Sequence, residues 1–210
     1  MTAIHQNQPL FELGPELEDA GRAVILLHGR GSTARAMRPL AKQLGLETAR
    51  YLIPQAASNR WYPNSAFDPL HSNQPDLNSA LDTVQGLVGE LQQAGMPADR
   101  IVLGGFSQGA CLAAEYTARH AERFGGLFIY SGALIGPPGT PRDYRGSLEG
   151  TPVFIGSSDS DPWVSHPLVQ ETARVFQELG GNVDFRTYPG MGHTVNKNEI
   201  QAVREMIGSQ

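Results

Sequence analysis

The chain has 210 residues, 40% of them hydrophobic, which is enough for one domain with a sizeable core. Its formal net charge is -5 and no run of Lys or Arg stands out, which argues against nucleic acid or an anionic membrane as a partner. Cys111 is the only cysteine, which excludes a disulfide framework and a cysteine cluster for zinc and suits a reducing cytoplasm.

The first residues, "MTAIHQNQPLFELGPELEDAG", lack a basic start followed by an apolar stretch, so no signal peptide is expected. Nowhere do ~18 apolar residues run together, so no membrane span is expected either. With no internal repeat and no Pro/Ser-rich linker, residues 1–210 are read as one domain, with 1–20 an N-terminal segment assigned to no element.

The first apolar run is "RAVILLHG" at 22–29, and "ARYLIPQ" follows at 49–55. From Asp76, a candidate N-cap, Leu77, Ala80, Leu81, Val84, Leu87, Val88 and Leu91 recur at i, i+3, i+4, i+7 and predict an amphipathic helix. The run "RIVLGGF" at 100–106 leads through Ser107 into a stretch without Gly or Pro, read as strand then helix. Two further runs are "GGLFIYSG" at 125–132 and "TPVFIGS" at 151–157. Pro167 then opens a helix with Leu168, Val169, Thr172, Val175, Phe176 and Leu179 on one face, ended by Gly180-Gly181. After "VDFRTYP" at 183–189, Asn196 and Glu199 have capping-box spacing, with Val195 and Ile200 placed as a hydrophobic staple for the last helix. Four of the six runs lack polar alternation, as strands buried on both faces of a parallel sheet do. The alternation of strands and helices predicts an α/β layer fold with a mostly parallel sheet.

Two segments break the alternation, 54–75 and 132–150. Both follow strands, so both should emerge at the carboxyl edge of the sheet, where α/β folds place their sites. The second is too short for a helical cap domain, so an open, shallow site walled by loops is expected.

Gly105-Phe106-Ser107-Gln108-Gly109 sits where a buried-type strand becomes a helix, the context a nucleophilic serine requires. Small residues on either side let the backbone turn sharply and project the hydroxyl over the sheet. The helix start adds N–H groups and a positive dipole end. Such a serine needs a base and the base an orienting acid, in the chain order Ser, acid, His. Of the histidines that follow, His120 lies late on the serine's own helix and His166 just precedes Pro167. His193 stands in the glycine-rich "YPGMGHTVN" loop after the last strand and is the preferred base. Asp159 and Asp161 both follow the strand at 151–157. Asp161 is preferred because Pro162 biases it to an extended conformation, and Asp159 is left as a turn former.

An acyl-transfer oxyanion needs donors. The Gln108 N–H is one, and the Arg30 N–H in "LLHGRGST" is the natural second, with His28 read as a loop-shaping hydrogen-bonder. Cys111, one turn beyond Ser107, is read as packed core. Trp61, Tyr62 and Phe67 in the 54–75 loop are candidates for the apolar substrate wall. The competing reading has these aromatics pinning the loop to the sheet.

"LHGRG", "GFSQGA", "SDSDPWV" and "GMGHTV", in this order and spacing, resemble the phospholipase/carboxylesterase family of α/β-hydrolases, which includes acyl-protein thioesterases and small bacterial carboxylesterases. The resemblance spans about residues 22–207. It implies an α/β-hydrolase fold with helices on both faces and no cap domain. It also implies Ser107 as nucleophile, Asp161 as acid, His193 as base, and the Arg30 and Gln108 amides as oxyanion hole. Trp61 resembles an aromatic of the family's substrate-side loop, whereas Tyr62-Pro63 departs from the thioesterases and resembles the bacterial carboxylesterases. The expected function is a cytoplasmic serine carboxylesterase cleaving carboxylic esters or thioesters of small apolar acyl groups, with a small-molecule ester as partner and without metal or organic cofactor. Acyl-protein thioesterase or lysophospholipase activity is the alternative. A peptide or amide hydrolase and a non-catalytic binding protein on the same scaffold are further rivals. A homodimer is left open.

Overall fold

The computed structural model describes residues 3–45 and 47–208. Seven strands form one sheet: β1 (Leu10–Leu13), β2 (Arg22–Leu27), β3 (Ala49–Pro54), β4 (Ile101–Phe106), β5 (Gly126–Tyr130), β6 (Pro152–Ser158) and β7 (Asn182–Tyr188). Their order is β1-β3-β2-β4-β5-β6-β7, with β1 antiparallel to β3 and every other pair parallel. The six apolar runs all became strands. β1 was not foreseen, because its four residues alternate between exposed and half-buried on a sheet edge and carry little apolar signal.

Alternate residues of β2 explain the missing polar alternation. Ala23, Ile25 and Leu27 pack into one apolar cluster, Val24 and Leu26 into another on the opposite face. The first cluster is covered by α2 (Asp76–Gln93), α3 (Gln108–Arg119) and α4 (His166–Glu178). The second is covered by α1 (Arg38–Leu44) and α5 (Lys197–Gly208). This is the α/β-hydrolase arrangement of a mostly parallel sheet with helices on both faces.

The last helix starts as the sequence predicts. Asn196 Oδ1 accepts from the Glu199 N–H at 3.0 Å, and Glu199 Oε2 accepts from the Asn196 N–H at 2.8 Å. Val195 and Ile200 pack in the same cluster. Asp76 falls inside the first turn of α2 rather than at its cap, which is Pro75.

Segment 132–150 holds no helix and therefore no cap. Its start is pinned at three consecutive amides: Ala133 to Cys111 Sγ, Leu134 to Thr172 Oγ1, and Ile135 to Glu115 Oε2. Among the described residues no helix is long and apolar enough to cross a membrane.

Candidate active site

β4 ends at Phe106, α3 begins at Gln108, and Ser107 lies between them at φ 56, ψ -122. Such a backbone conformation costs a non-glycine residue about 1–3 kcal/mol and persists only where the surroundings impose it. Here the flanking glycines impose it by close approach. A Cβ on Gly105 would lie 2.5 Å from the Leu27 carbonyl oxygen, and one on Gly109 would lie 2.2 Å from the same atom. The end of β2 thus fits against the elbow only because both positions are glycine. The Ser107 N–H donates to the Tyr130 carbonyl at 2.9 Å and holds the elbow to β5.

Above the elbow, Ser107 Oγ lies 2.8 Å from His193 Nε2, and His193 Nδ1 lies 2.7 Å from Asp161 Oδ2. An ionised carboxylate only accepts, so Nδ1 carries the imidazole proton and Nε2 is left to accept from the serine hydroxyl. The other carboxylate oxygen, Asp161 Oδ1, accepts from the Trp163 and Val164 amides at 2.8 and 3.1 Å. The Asp161 side chain is fully shielded from solvent, whereas His193 is 18% exposed. Asp161 is therefore fixed and dry, and His193 reaches the surface. The Phe106 ring sits 4.9 Å from the imidazole and limits its swing.

The rejected candidates have other partners. Asp159 Oδ1 accepts from the Gly190 N–H at 2.9 Å, and that bond holds its carboxyl below the usual carboxylate range. Asp159 thus ties the His193 loop to the β6 end without touching the imidazole. His120 stacks on Tyr116, and His166 pairs with Thr187. His28 is fully buried behind the 29–31 loop. Its Nε2 accepts from the Ala56 N–H at 3.0 Å, so the Nδ1–H donates to the Gly29 carbonyl at 2.8 Å.

The two expected oxyanion donors sit on well-supported backbone. The Gln108 side chain accepts from the Trp61 N–H through Oε1 at 2.8 Å and donates through Nε2 to the Tyr62 carbonyl at 2.8 Å. The Arg30 guanidinium donates to the Pro63 and Asn64 carbonyls. The next amide, Gly31, donates to the Asn59 carbonyl at 2.7 Å. Residues 55–64 therefore form a strap that grips the 28–31 loop on one side and the start of α3 on the other.

A cavity of about 460 Å³ opens beside Ser107 and His193, within the size range of small-ligand sites. Phe67, Ala66 and Val164 supply much of its apolar lining, Tyr62 borders it from a fully buried position, and Arg30, Asn64, Ser65 and Asp68 line it with polar groups. Trp61 does not line it. Its ring is fully buried between His5 and His28, with centroids 5.5 and 5.1 Å away, and its Nε1–H donates to the His28 carbonyl at 2.9 Å. The pinning reading of the loop therefore describes Trp61, and the wall reading does not. The aromatic that sequence reasoning missed is Trp163, on the cavity rim and 72% exposed. Its position two residues after Asp161 was the only available signal.

The profile of the phospholipase/carboxylesterase family matches residues 14–209. Acyl-protein thioesterase 1 from Neurospora crassa is 28% identical, covering 99% of this chain and 93% of that protein. The crystal structure of a phospholipase/carboxylesterase from Dyadobacter fermentans superposes with a TM-score of 0.92 at 40% identity, covering 96% of each chain. That of a Bacillus cereus carboxylesterase gives 0.75 at 21% identity over 97% and 95%, a likeness of fold. A seven-stranded sheet with a strained serine at its β4–α3 elbow, matched over nearly its whole length, places this chain in the phospholipase/carboxylesterase family.

Proposed function

We propose that this chain is a serine carboxylesterase that cleaves carboxylic esters or thioesters of small apolar acyl groups through an acyl-enzyme, with Ser107, His193 and Asp161 as its catalytic residues. The observation that carries this reading is the continuous Ser107–His193–Asp161 hydrogen-bond relay at the mouth of a largely apolar cavity. As Ser107 Oγ attacks the carbonyl carbon, its proton passes to His193 Nε2 and the carbonyl oxygen becomes an oxyanion. The Arg30 and Gln108 amides are the donors we assign to that oxyanion. Asp161 stabilises the imidazolium. Collapse breaks the bond to the alcohol or thiol, which takes the proton from His193. A water then gives a proton to His193 and attacks the acyl carbon, and the acid leaves as Ser107 recovers its proton.

We assign Phe67, with Trp163 at the rim, to substrate contact, and Tyr62, which is fully buried, to backing the cavity. The N. crassa relative is named as acting on acyl-proteins, so thioester cleavage is the second reading to test. Nitrophenyl esters and acyl thioesters of graded chain length decide between them. The expected result is turnover of short apolar acyl esters, abolished together with fluorophosphonate labelling in Ser107→Ala. Labelling that persists in that variant would refute the assignment.

A further inference from the structure

His5 lies upstream of the segment that matches the family, residues 14–209, yet it is 2% exposed and bonded to the back of the active site. Its ring spans a turn. Nδ1 accepts from the Ala57 N–H at 3.1 Å, which leaves Nε2–H to donate to the Trp61 carbonyl at 2.9 Å. The backbone of His5 is itself anchored, its N–H donating to Ser79 Oγ on α2 at 3.0 Å.

The turn between those two contacts needs such a staple. Ser58 and Asn59, both inside it, have φ 52 and φ 57, and neither is glycine. Consecutive left-handed non-glycine residues are strained and relax unless their surroundings hold them. Asn59 is also the residue whose carbonyl accepts from Gly31, next to the Arg30 amide assigned to the oxyanion. Slackening of the turn would therefore be felt at that donor. The chain of contacts runs from His5 to the 57–61 turn and then to the 29–31 loop, and neither His5 nor the turn lines the cavity. Burial lowers the His5 pKa, so the ring is kept in the neutral form that can accept at Nδ1. Asp76 acts against this by raising the pKa, but burial outweighs it, and the buried His28 also feels the His5 charge.

We propose that His5 is a positioning residue for ester hydrolysis: it staples the strained 57–61 turn and so holds the Arg30 amide where the oxyanion forms. The N-terminal segment would then be a working part of the site. This rests on the esterase reading above.

The test compares wild type with His5→Phe, which keeps an aromatic ring but makes neither hydrogen bond, and with His5→Gln, whose amide offers both a donor and an acceptor. The measurements are kcat and KM for a short nitrophenyl ester, the ratio of rates on matched oxo- and thiono-esters, and Tm. All rates are taken well below each variant's Tm. Misplacing a transition-state contact by a fraction of an ångström predicts a kcat loss of about tenfold to a hundredfold in His5→Phe, with KM within about twofold. The preference for the oxo-ester should narrow, because a loosened oxyanion site discriminates oxygen from the larger sulfur less sharply. His5→Gln should recover part of both. If His5→Phe does not fold, the oxo/thiono ratio of His5→Gln carries the test.

A folded His5→Phe with wild-type kcat would overturn the proposal. So would a rate loss that only follows the folded fraction while the oxo/thiono ratio stays fixed. Failure of the esterase reading looks different, because wild type would then show no ester turnover for Ser107→Ala to abolish, and both proposals would fall together.

Discussion

Trp61→Ala separates the two roles that an aromatic in the 54–75 loop can play, and the structure gives the size of the effect. The indole is fully buried, so truncation removes a complete core side chain and leaves a cavity, a change that costs about 3–5 kcal/mol. It also strips the His28 carbonyl of its Nε1–H donor, and an unsatisfied buried group adds about 1–3 kcal/mol if no water replaces it. Taking ~4 kcal/mol, the middle of the cavity cost alone, a chain of this length should lose at least about 8–16 °C in Tm. The activity of the folded variant should fall by the same factor for acetate and for longer acyl esters, because the ring does not line the cavity. Trp163→Ala should give the opposite pattern, since that ring is mostly exposed on the rim: an unchanged Tm and a loss in kcat/KM for the longer esters of ~1–3 kcal/mol. Thermal melts and two ester lengths on the two variants suffice. A Trp61→Ala protein that melts like wild type and loses activity only on long esters would refute the reasoning.

Asp161→Asn should lower kcat by ~10⁴, the scale seen when a triad aspartate loses its charge, because its partner imidazolium is no longer stabilised. Asp159→Asn should cost far less, since its carboxylate holds a loop amide; equal losses in steady-state rates would undo the assignment. Glu199 should make stability depend on pH. Its side chain is buried, one oxygen has no hydrogen-bond partner among the described residues, and burial pushes its pKa up to about 7. A raised carboxyl pKa means the unfolded chain releases the proton first, so this group lowers stability progressively as pH rises from about 4.5 to about 7. The loss is complete above that, at about 3 kcal/mol. Glu199→Gln should therefore gain on wild type by about 6–12 °C in Tm between pH 4 and pH 8, and a difference that stays constant over that range would refute the sign.

The parts of the molecule legible in the sequence are those specified by neighbours along the chain. Gly105 and Gly109 announce the elbow because the constraint they satisfy, contact with the Leu27 carbonyl, needs small residues at fixed spacing from Ser107. The central strands are legible because both faces are covered, which removes polar residues from every position. The preference for Asp161 over Asp159 came from one local fact, the proline after it. β1 was invisible because an edge strand buries only one side of a four-residue stretch. α1 was missed because seven residues after a loop carry too few turns to show a period.

The aromatic loop failed for a different reason. Whether an indole faces a cavity or the core depends on what stands behind it, and nothing near residue 61 says that a histidine from the fifth position stands there. His5 reaches partners 52 and 56 residues away, so no local pattern could reveal the contact. The same separation explains why the strap has so many distant anchors. A turn with two consecutive left-handed non-glycine residues cannot hold itself, so its rigidity must be supplied by groups folded onto it: His5 behind, His28 beside it and Gln108 in front. Gln108 does this with its side chain while the helix start fixes its amide, so one residue ties the strap to the elbow. The Arg30 and Gln108 amides, the donors we assign to the oxyanion, are thus joined through the strap, which His5 and His28 hold without lining the cavity, and the geometry there is set as much behind the strap as in the cavity.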